Sequence, residues 1–340
     1  MPIESSRDAV IVATARSPIG RAGKGSLRDV RPDDLAAQMV ATALDRISAL
    51  DRHAVDDVYL GCGLPGGESG FNMARIVNVI NGMDDVPGAT ITRYCASSLQ
   101  TTRMAFHAIR AGEGTAFVSA GVECVSRFDR GNSDNHPDTR NSLFLKARAH
   151  TDARAKGGAP TWHDPRTDAA MPDIYIAMGQ TAENVAQLRG ITREMQDEFG
   201  CRSQNLAQKA LAAGFWQREI TAVQLPDGRV VDADDGPRAD TTLETLATLP
   251  PVFRPDGTVT AGNCCPLNDG AAAVVVMSAA GRANLACNRS RALSRPEFRR
   301  CRRRSWDSGR SRPRGVRLHM RAWRSATSTW SRSTKRSRHK

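Results

Sequence analysis

The chain has 340 residues, which is enough to bury a large core and to form more than one lobe. Its formal net charge is +12, but residues 282–340 carry +18 and the residues before them carry −6. This split excludes a general nucleic-acid-binding surface on the body of the chain. No apolar run is long enough to span a bilayer, and the first residues lack the order of a secretory signal.

The cysteines indicate the compartment. Eight of them occur at irregular spacing, without a C-x-x-C pair and without a metal-ligand pattern. Such usage is typical of reduced thiols, so we expect a cytoplasmic protein without a bound metal.

Apolar periodicity predicts alternating strands and helices in the first part of the chain. The predicted strands cover residues 9–13, 57–63, 88–92 and 115–123. The predicted helices cover residues 33–50, 72–80 and 95–113. This alternation predicts an α/β fold with a largely parallel sheet.

The pattern changes after the fourth predicted strand. Residues 127–173 are polar and aperiodic, and they are too many for an ordinary connection, so they indicate an insertion or a small subdomain. Helices are predicted over 174–188 and 192–213, a hairpin over 224–231 and a buried strand over 271–277. From Arg282 onward no helix or strand period is visible, and we expect disorder because too little apolar surface is available.

One cysteine lies where an extended run turns into a helical one. Cys95 follows the β-branched residues 90–92 and precedes the helical pattern. A thiol at a helix N-terminus faces unpaired backbone N–H groups and the positive end of the dipole, which favour the nucleophilic thiolate. From position alone, a reactive thiol and a small buried cysteine are about equally compatible with this pattern.

Residues 8–278 resemble the thiolase family of coenzyme A acyltransferases. The resemblance rests on four motifs in order: Ala13–Gly20, Arg93–Gln100, Met178–Asn184, and Gly257–Asn263 followed by Asn268–Ala273. It implies a layered thiolase-like α/β fold with an N-terminal half-domain over 1–125, a loop domain over 126–250, the end of the N-terminal domain over 251–281, and a basic tail over 282–340.

The resemblance also implies a site. Cys95 is the expected acyl-carrying nucleophile, and Met178, Phe253, Ala261, Cys264 and Cys265 fall at positions that line the pantetheine and acyl channel. Arg238 is expected to reach a coenzyme A phosphate. Coenzyme A is a substrate in this family, so no separate cofactor is expected. The expected partners are acyl-coenzyme A, coenzyme A and further copies of the chain, as a dimer or tetramer.

Two short departures affect only the expected acyl preference. Ala177 stands where many members carry histidine, and Cys264-Cys265-Pro266 stands where many carry small residues and serine. A larger departure is the second half of the family fold, with its activating histidine and its second cysteine, which is missing here.

The tail suggests a reason for the missing half. Reading the message one nucleotide earlier over 284–340 permits patterned segments, and the last contains the Asn-Glu-Ala-Phe motif of the family. We therefore interpret the tail as the product of a frameshift near Ala279–Arg282 and expect the chain to be inactive and poorly stable. The alternatives are a non-catalytic coenzyme A-binding or assembly protein and an authentic basic tail that binds nucleic acid or a membrane surface.

Overall fold

A six-stranded sheet forms the centre of the fold. The structure is a computed structural model, and it describes residues 6–130 and 140–292. The strands of this sheet are β1 (Ala9–Arg16), β2 (Gly20–Arg21), β3 (Asp57–Gly61), β4 (Gly88–Ile91), β5 (Ala116–Cys124) and β8 (Asn268–Ser278). The short strands β6 (Val223–Gln224) and β7 (Val230–Val231) pair as the predicted hairpin.

The strand order is β1-β8-β5-β3-β4, with β2 also paired to β8. β3 runs parallel to both β4 and β5, but β8 runs antiparallel to β1 and β5. The prediction of a largely parallel sheet is therefore wrong, and the sheet is mixed. The cause is the long excursion between β5 and β8, which returns the chain to the sheet at the end where β5 stops, since Cys124 pairs with Asp269.

Nine helices lie within the described residues. They are α1 (Pro32–Asp45), α2 (Met73–Ile80), α3 (Ser97–Ala111), α4 (Leu145–Arg154), α5 (Met178–Arg189), α6 (Arg193–Ala212), α7 (Phe215–Glu219), α8 (Leu243–Ala247) and α9 (Ala279–Ala292). In the part of the chain that is described, none of them is both long and apolar enough to cross a bilayer.

Helices cover both faces of the sheet because side chains along β5 and β8 alternate between two apolar clusters. Val118 and Val275 belong to the larger cluster, which includes the buried faces of α1 and α2. Phe117 and Val276 belong to the smaller one, which includes Ala105, Ala108 and Ile109 of α3. The structure therefore confirms the α/β layering and places α3 on the opposite face from α1 and α2.

Most elements lie where the sequence pattern predicts them, but several of their boundaries differ. β1 continues to Arg16, because its residues pair with β8 through that point. α1 ends at Asp45 rather than near residue 50. The prediction of no regular structure from Arg282 onward is wrong for its first part, since α9 continues to Ala292. Residues 293–340, the rest of the predicted tail, lie outside the described residues.

Two glycines let the start of α3 lie directly on the sheet. A Cβ at Gly61, the last residue of β3, would lie 2.7 Å from the carbonyl carbon of Ser97. A Cβ at Gly121 of β5 would overlap the hydroxyl of Ser98. Side chains at these positions would displace the helix start, and with it the segment that carries Cys95.

We predict that Gly61→Ala lowers the free energy of unfolding by about 1–3 kcal/mol, because the added methyl group meets backbone that cannot rotate away. The measurement is urea unfolding of the full chain. Gly236→Ala is the matched control, since a Cβ there meets nothing within 4 Å. Equal effects of the two substitutions would contradict the close approach of α3 to the sheet.

We also predict that Leu60→Ala lowers the free energy of unfolding by about 2–5 kcal/mol, because Leu60 on β3 is fully buried and its loss leaves a cavity. Leu206→Ala on α6, where the side chain is 50% exposed, should change it by less than about 0.5 kcal/mol. The same urea titration measures both variants, and a neutral Leu60→Ala would contradict the assignment of this core.

Candidate functional site

Cys95 lies on the connection between β4 and α3. It is exposed and occupies a 3₁₀ turn, Tyr94–Ala96, immediately before the first residue of α3. Tyr94 has a positive φ of 46°, which is uncommon for a bulky residue and indicates a tightly turned backbone. The thiol therefore stands at a sharp strand-to-helix bend and is open to solvent. The helix was predicted to begin at Cys95, but it begins two positions later.

The hydroxyl of Ser97 holds this bend. It accepts a hydrogen bond from the backbone N–H of Arg93 (2.9 Å) and donates one to the carbonyl of Tyr94 (2.6 Å). Ser97 is only 4% exposed, so these bonds are shielded from water. They fix the backbone on both sides of Cys95 and direct the N-terminal end of α3 toward it.

The other described cysteines differ from Cys95 in their surroundings. Cys62 and Cys124 are buried, and burial raises the pKa of Cys62 to about 12 and also raises that of Cys124. Cys201 is partly buried, so all three thiols are less accessible to solvent than that of Cys95. Of the six cysteines whose side-chain burial the structure describes, Cys95 and Cys265 are exposed. Exposure alone favours these two as nucleophiles.

A partly buried carboxylate supports the loop beside the bend. Glu123 at the end of β5 accepts a hydrogen bond from the N–H of Gly63 (2.7 Å), and the Cys62 thiol lies 3.7 Å from its other oxygen. Burial raises the pKa of Glu123. The hydroxyl of Thr92 donates to the carbonyl of Gly63 (2.9 Å), which ties the same loop to the residue after β4. The loop after β3 and the Cys95 segment are thus joined by hydrogen bonds.

Met178 and Phe253, two of the predicted channel residues, lie close together. Met178 is the first residue of α5 and is 70% exposed. The ring of Phe253 packs so closely on the next residue, Gly179, that a Cβ there would overlap it. The side chain of Gln180 donates to the carbonyl of Phe253 (2.7 Å) and fixes this contact.

Gln180, Glu183 and Asn184 of the motif Met178–Asn184 are anchors, because their side chains hold neighbouring segments by hydrogen bonds. Glu183 accepts hydrogen bonds from the N–H groups of Thr258 (3.0 Å) and Val259 (2.8 Å). The guanidinium of Arg254 donates to the side chains of Gln180 (2.8 Å) and Asn184 (2.6 Å). Positions 180, 183 and 184 share one helix face, and this spacing was the sequence signal for a buried polar network that our sequence analysis missed.

The other predicted binding residues lie on the segment that leads into β8 and on the loop beside it. Ala261 and Cys265 are exposed, and Cys264 is partly buried. Burial raises the pKa of Cys264, and the positive charge of nearby Arg238 partly offsets this rise. Asn263 holds the segment, since its side chain accepts from the N–H of Thr260 (2.8 Å) and donates to Asp197 (2.8 Å).

The structure thus groups the predicted residues into two pairs, Met178 with Phe253 and Arg238 with Cys264. Within the described ranges, no hydrogen bond or ion pair connects Cys95 to either pair. No group of three or more potential metal ligands is clustered in that same part of the chain. Ser97, whose hydroxyl bonds to the backbone on both sides of Cys95, belongs to the candidate site, and our sequence analysis did not identify it.

The comparisons with known proteins agree with this architecture. A sequence model described as the thiolase N-terminal domain matches residues 9–280. The chain is 41% identical over 280 residues to the β-ketoadipyl-CoA thiolase of Pseudomonas knackmussii, covering 81% of this chain and 67% of the relative. It is 38% identical over 284 residues to the 3-ketoacyl-CoA thiolase of Bacillus subtilis, covering 80% and 66%.

Solved structures show the same relationship. The acetyl-CoA acetyltransferase of Bacillus anthracis superposes with a TM-score of 0.66 at 35% identity, covering 82% of this chain and 67% of that one. The dimeric peroxisomal thiolase of Saccharomyces cerevisiae superposes with a TM-score of 0.70 at 29% identity, covering 84% and 68%. The chain spans about two thirds of the length of these relatives. From residue 9 to residue 280, this chain belongs to the thiolase family.

Proposed function

We propose that the chain derives from a thiolase-type acyl-coenzyme A C-acyltransferase in which Cys95 carries the acyl group as a thioester. The observation that supports this most directly is the exposed thiol at the β4–α3 bend, inside a motif shared with the family. Its thiolate attacks the keto carbon of a 3-ketoacyl-coenzyme A, and acetyl-coenzyme A leaves after protonation of its carbanion. A second coenzyme A then accepts the acyl group, and condensation is the reverse of this sequence.

We assign the contacts with coenzyme A to two pairs of residues, Met178 with Phe253 and Arg238 with Cys264. Met178 and Phe253 offer an exposed apolar surface beside the start of α5, which suits the pantetheine arm. Arg238 supplies a positive charge near Cys264, which suits a phosphate. Ala261 and Cys265, both exposed on the segment that Asn263 holds, complete the proposed channel. Coenzyme A is a substrate of the proposed reaction, which uses no additional cofactor.

We further propose that the 340-residue chain is inactive as translated because a frameshift replaced its second half. The model that matches residues 9–280 describes only the N-terminal domain of the family, and the proposed junction at Ala279–Arg282 lies at its end. The second half would supply the histidine, the second cysteine and an oxyanion site, and loss of such members costs orders of magnitude in rate. The frame-restored protein is proposed to form a dimer or tetramer in the cytoplasm, with the domain boundaries given above.

We predict that iodoacetamide modifies Cys95 in the full chain faster than Cys201, because Cys95 is exposed on a fixed bend and Cys201 is partly buried. Peptide mass spectrometry after timed labelling gives both rates. Acetoacetyl-coenzyme A should slow the labelling of Cys95 and leave that of Cys201 unchanged if a coenzyme A site forms beside Cys95. Protection without any product is expected of this inactive chain, and the frame-restored protein separates it from the non-catalytic coenzyme A-binding alternative. Unprotected labelling at the rate of a simple peptide thiol would contradict a formed site.

We also predict that restoring the reading frame creates the activity. The purified 340-residue chain should show no thiolysis of acetoacetyl-coenzyme A above the uncatalysed rate, and the frame-restored protein should show it. Cys95→Ser in the restored protein should lower kcat by at least about a thousandfold, because the acyl carrier is lost. Cys201→Ser is the control and should be near neutral. Thiolysis by the unrepaired chain would refute the proposed inactivity.

A further inference from the structure

Two adjacent thiols lie on the segment that leads into β8. Cys264 is partly buried and Cys265 is exposed, and both are free thiols. The thiol of Cys265 donates a weak hydrogen bond to the carbonyl of Pro266 (3.4 Å). The proposed acyl transfer places the acyl group on Cys95 and gives neither of these thiols a chemical step. They form a second nucleophilic pair that needs its own explanation.

The backbone holds this pair in place from both sides. The N–H of Cys264 donates to the carbonyl of Thr260 (3.1 Å). The side chain of Asn263, the preceding residue, accepts from the N–H of Thr260 (2.8 Å). Pro266, the residue after the pair, disfavours a helical backbone at Cys265. The two thiols therefore stay next to each other on a fixed part of the surface.

The two sulfur atoms influence each other's ionisation. Burial raises the pKa of Cys264, and the negative charge of a Cys265 thiolate raises it further, while the positive charge of Arg238 opposes the rise. Charge repulsion of this kind weakens with distance, so the two sulfur atoms lie close together. Two thiolates side by side are unfavourable, and one member of the pair keeps its proton while the other reacts.

The other cysteines whose burial is described lack one of these properties. Cys62 and Cys124 are buried, and Cys201 is partly buried. Cys95 is exposed, but neither of its neighbours in the sequence is a cysteine. Among these six side chains, an exposed thiol with a second thiol adjacent to it in the sequence occurs only at positions 264 and 265.

We propose that Cys264 and Cys265 form a reversible disulfide with a low-molecular-weight disulfide as the oxidant. The exposed thiolate of Cys265 attacks one sulfur of oxidised glutathione, forms a mixed disulfide and releases one glutathione. Cys264 then gives up its proton, and its sulfur attacks that of Cys265 and releases the second glutathione. Two protein thiols are oxidised, one disulfide is reduced, and the two thiol protons end on the released glutathiones.

Strain makes this protein disulfide easy to reduce. Neighbouring Cα atoms are about 3.8 Å apart across a trans peptide, whereas those of a disulfide are usually about 4.4–6.8 Å apart. A strained disulfide has a high reduction potential and belongs to the labile, regulatory kind. The pair therefore stays reduced under reducing conditions and closes when small disulfides accumulate. This redox site goes beyond the proposed acyl transfer and needs no complete catalytic centre.

Peptide mass spectrometry of the full chain tests the exchange. The chain is treated with excess oxidised glutathione, its free thiols are blocked with N-ethylmaleimide, and it is digested with trypsin without a reductant. Trypsin releases residues 239–282, which contain Cys264 and Cys265 and no other cysteine. We expect this peptide to lose two hydrogen atoms and to carry neither glutathione nor maleimide. A lasting glutathione adduct on it, or two maleimide-blocked thiols, would overturn the proposal.

Substitutions identify the second thiol. In Cys264→Ser the same peptide should keep glutathione on Cys265, because no adjacent thiol displaces it. Cys201→Ser is the matched control and should form the disulfide as the unmodified chain does. An excess of reduced glutathione of about tenfold should return the disulfide to thiols.

Circular dichroism melting verifies that both variants fold. The exchange in the unmodified chain decides the proposal even if Cys264→Ser is unfolded. A Cys264→Ser peptide without glutathione, or a disulfide that resists reduced glutathione, would contradict it.

Discussion

The proposed catalytic thiol depends on how closely the start of α3 approaches the sheet. Gly61 and Gly121 leave no side chain in the way, so Ser97 and Ser98 lie directly on the ends of β3 and β5. The hydroxyl of Ser97 then joins the two sides of the bend through Arg93 and Tyr94. The exposed position of Cys95 is therefore a result of backbone packing and one buried hydroxyl.

Buried polar residues also hold backbone segments in place in the long excursion between β5 and β8. Glu183 accepts hydrogen bonds from the backbone N–H groups of Thr258 and Val259. Arg254 donates to the side-chain amides of Gln180 and Asn184 in α5. Buried charges are tolerated only when hydrogen bonds replace the lost water. These anchors give a region with few buried apolar side chains a defined structure and keep Phe253 beside the start of α5.

The two proposals use different thiols of this arrangement. The proposed acyl transfer uses Cys95 together with groups that lie outside the described residues. The proposed disulfide uses Cys264 and Cys265, on a segment that Asn263 ties to Asp197 of α6. It can therefore form wherever that segment folds, whether or not the catalytic centre is complete.

The sequence by itself predicted most of the strands and helices, the candidate nucleophile Cys95 and the family resemblance, because periodicity and motifs are local properties. The motif Met178–Asn184 was recognised in the sequence, but the hydrogen-bonding role of its polar residues was not predicted. Only the tertiary structure decided that β8 runs antiparallel to β1 and β5, because strand direction depends on where a long excursion returns to the sheet. It also decided that Arg238 lies near Cys264 and that Asn263 bonds to Asp197, since the members of each pair are far apart in the chain and meet only after folding.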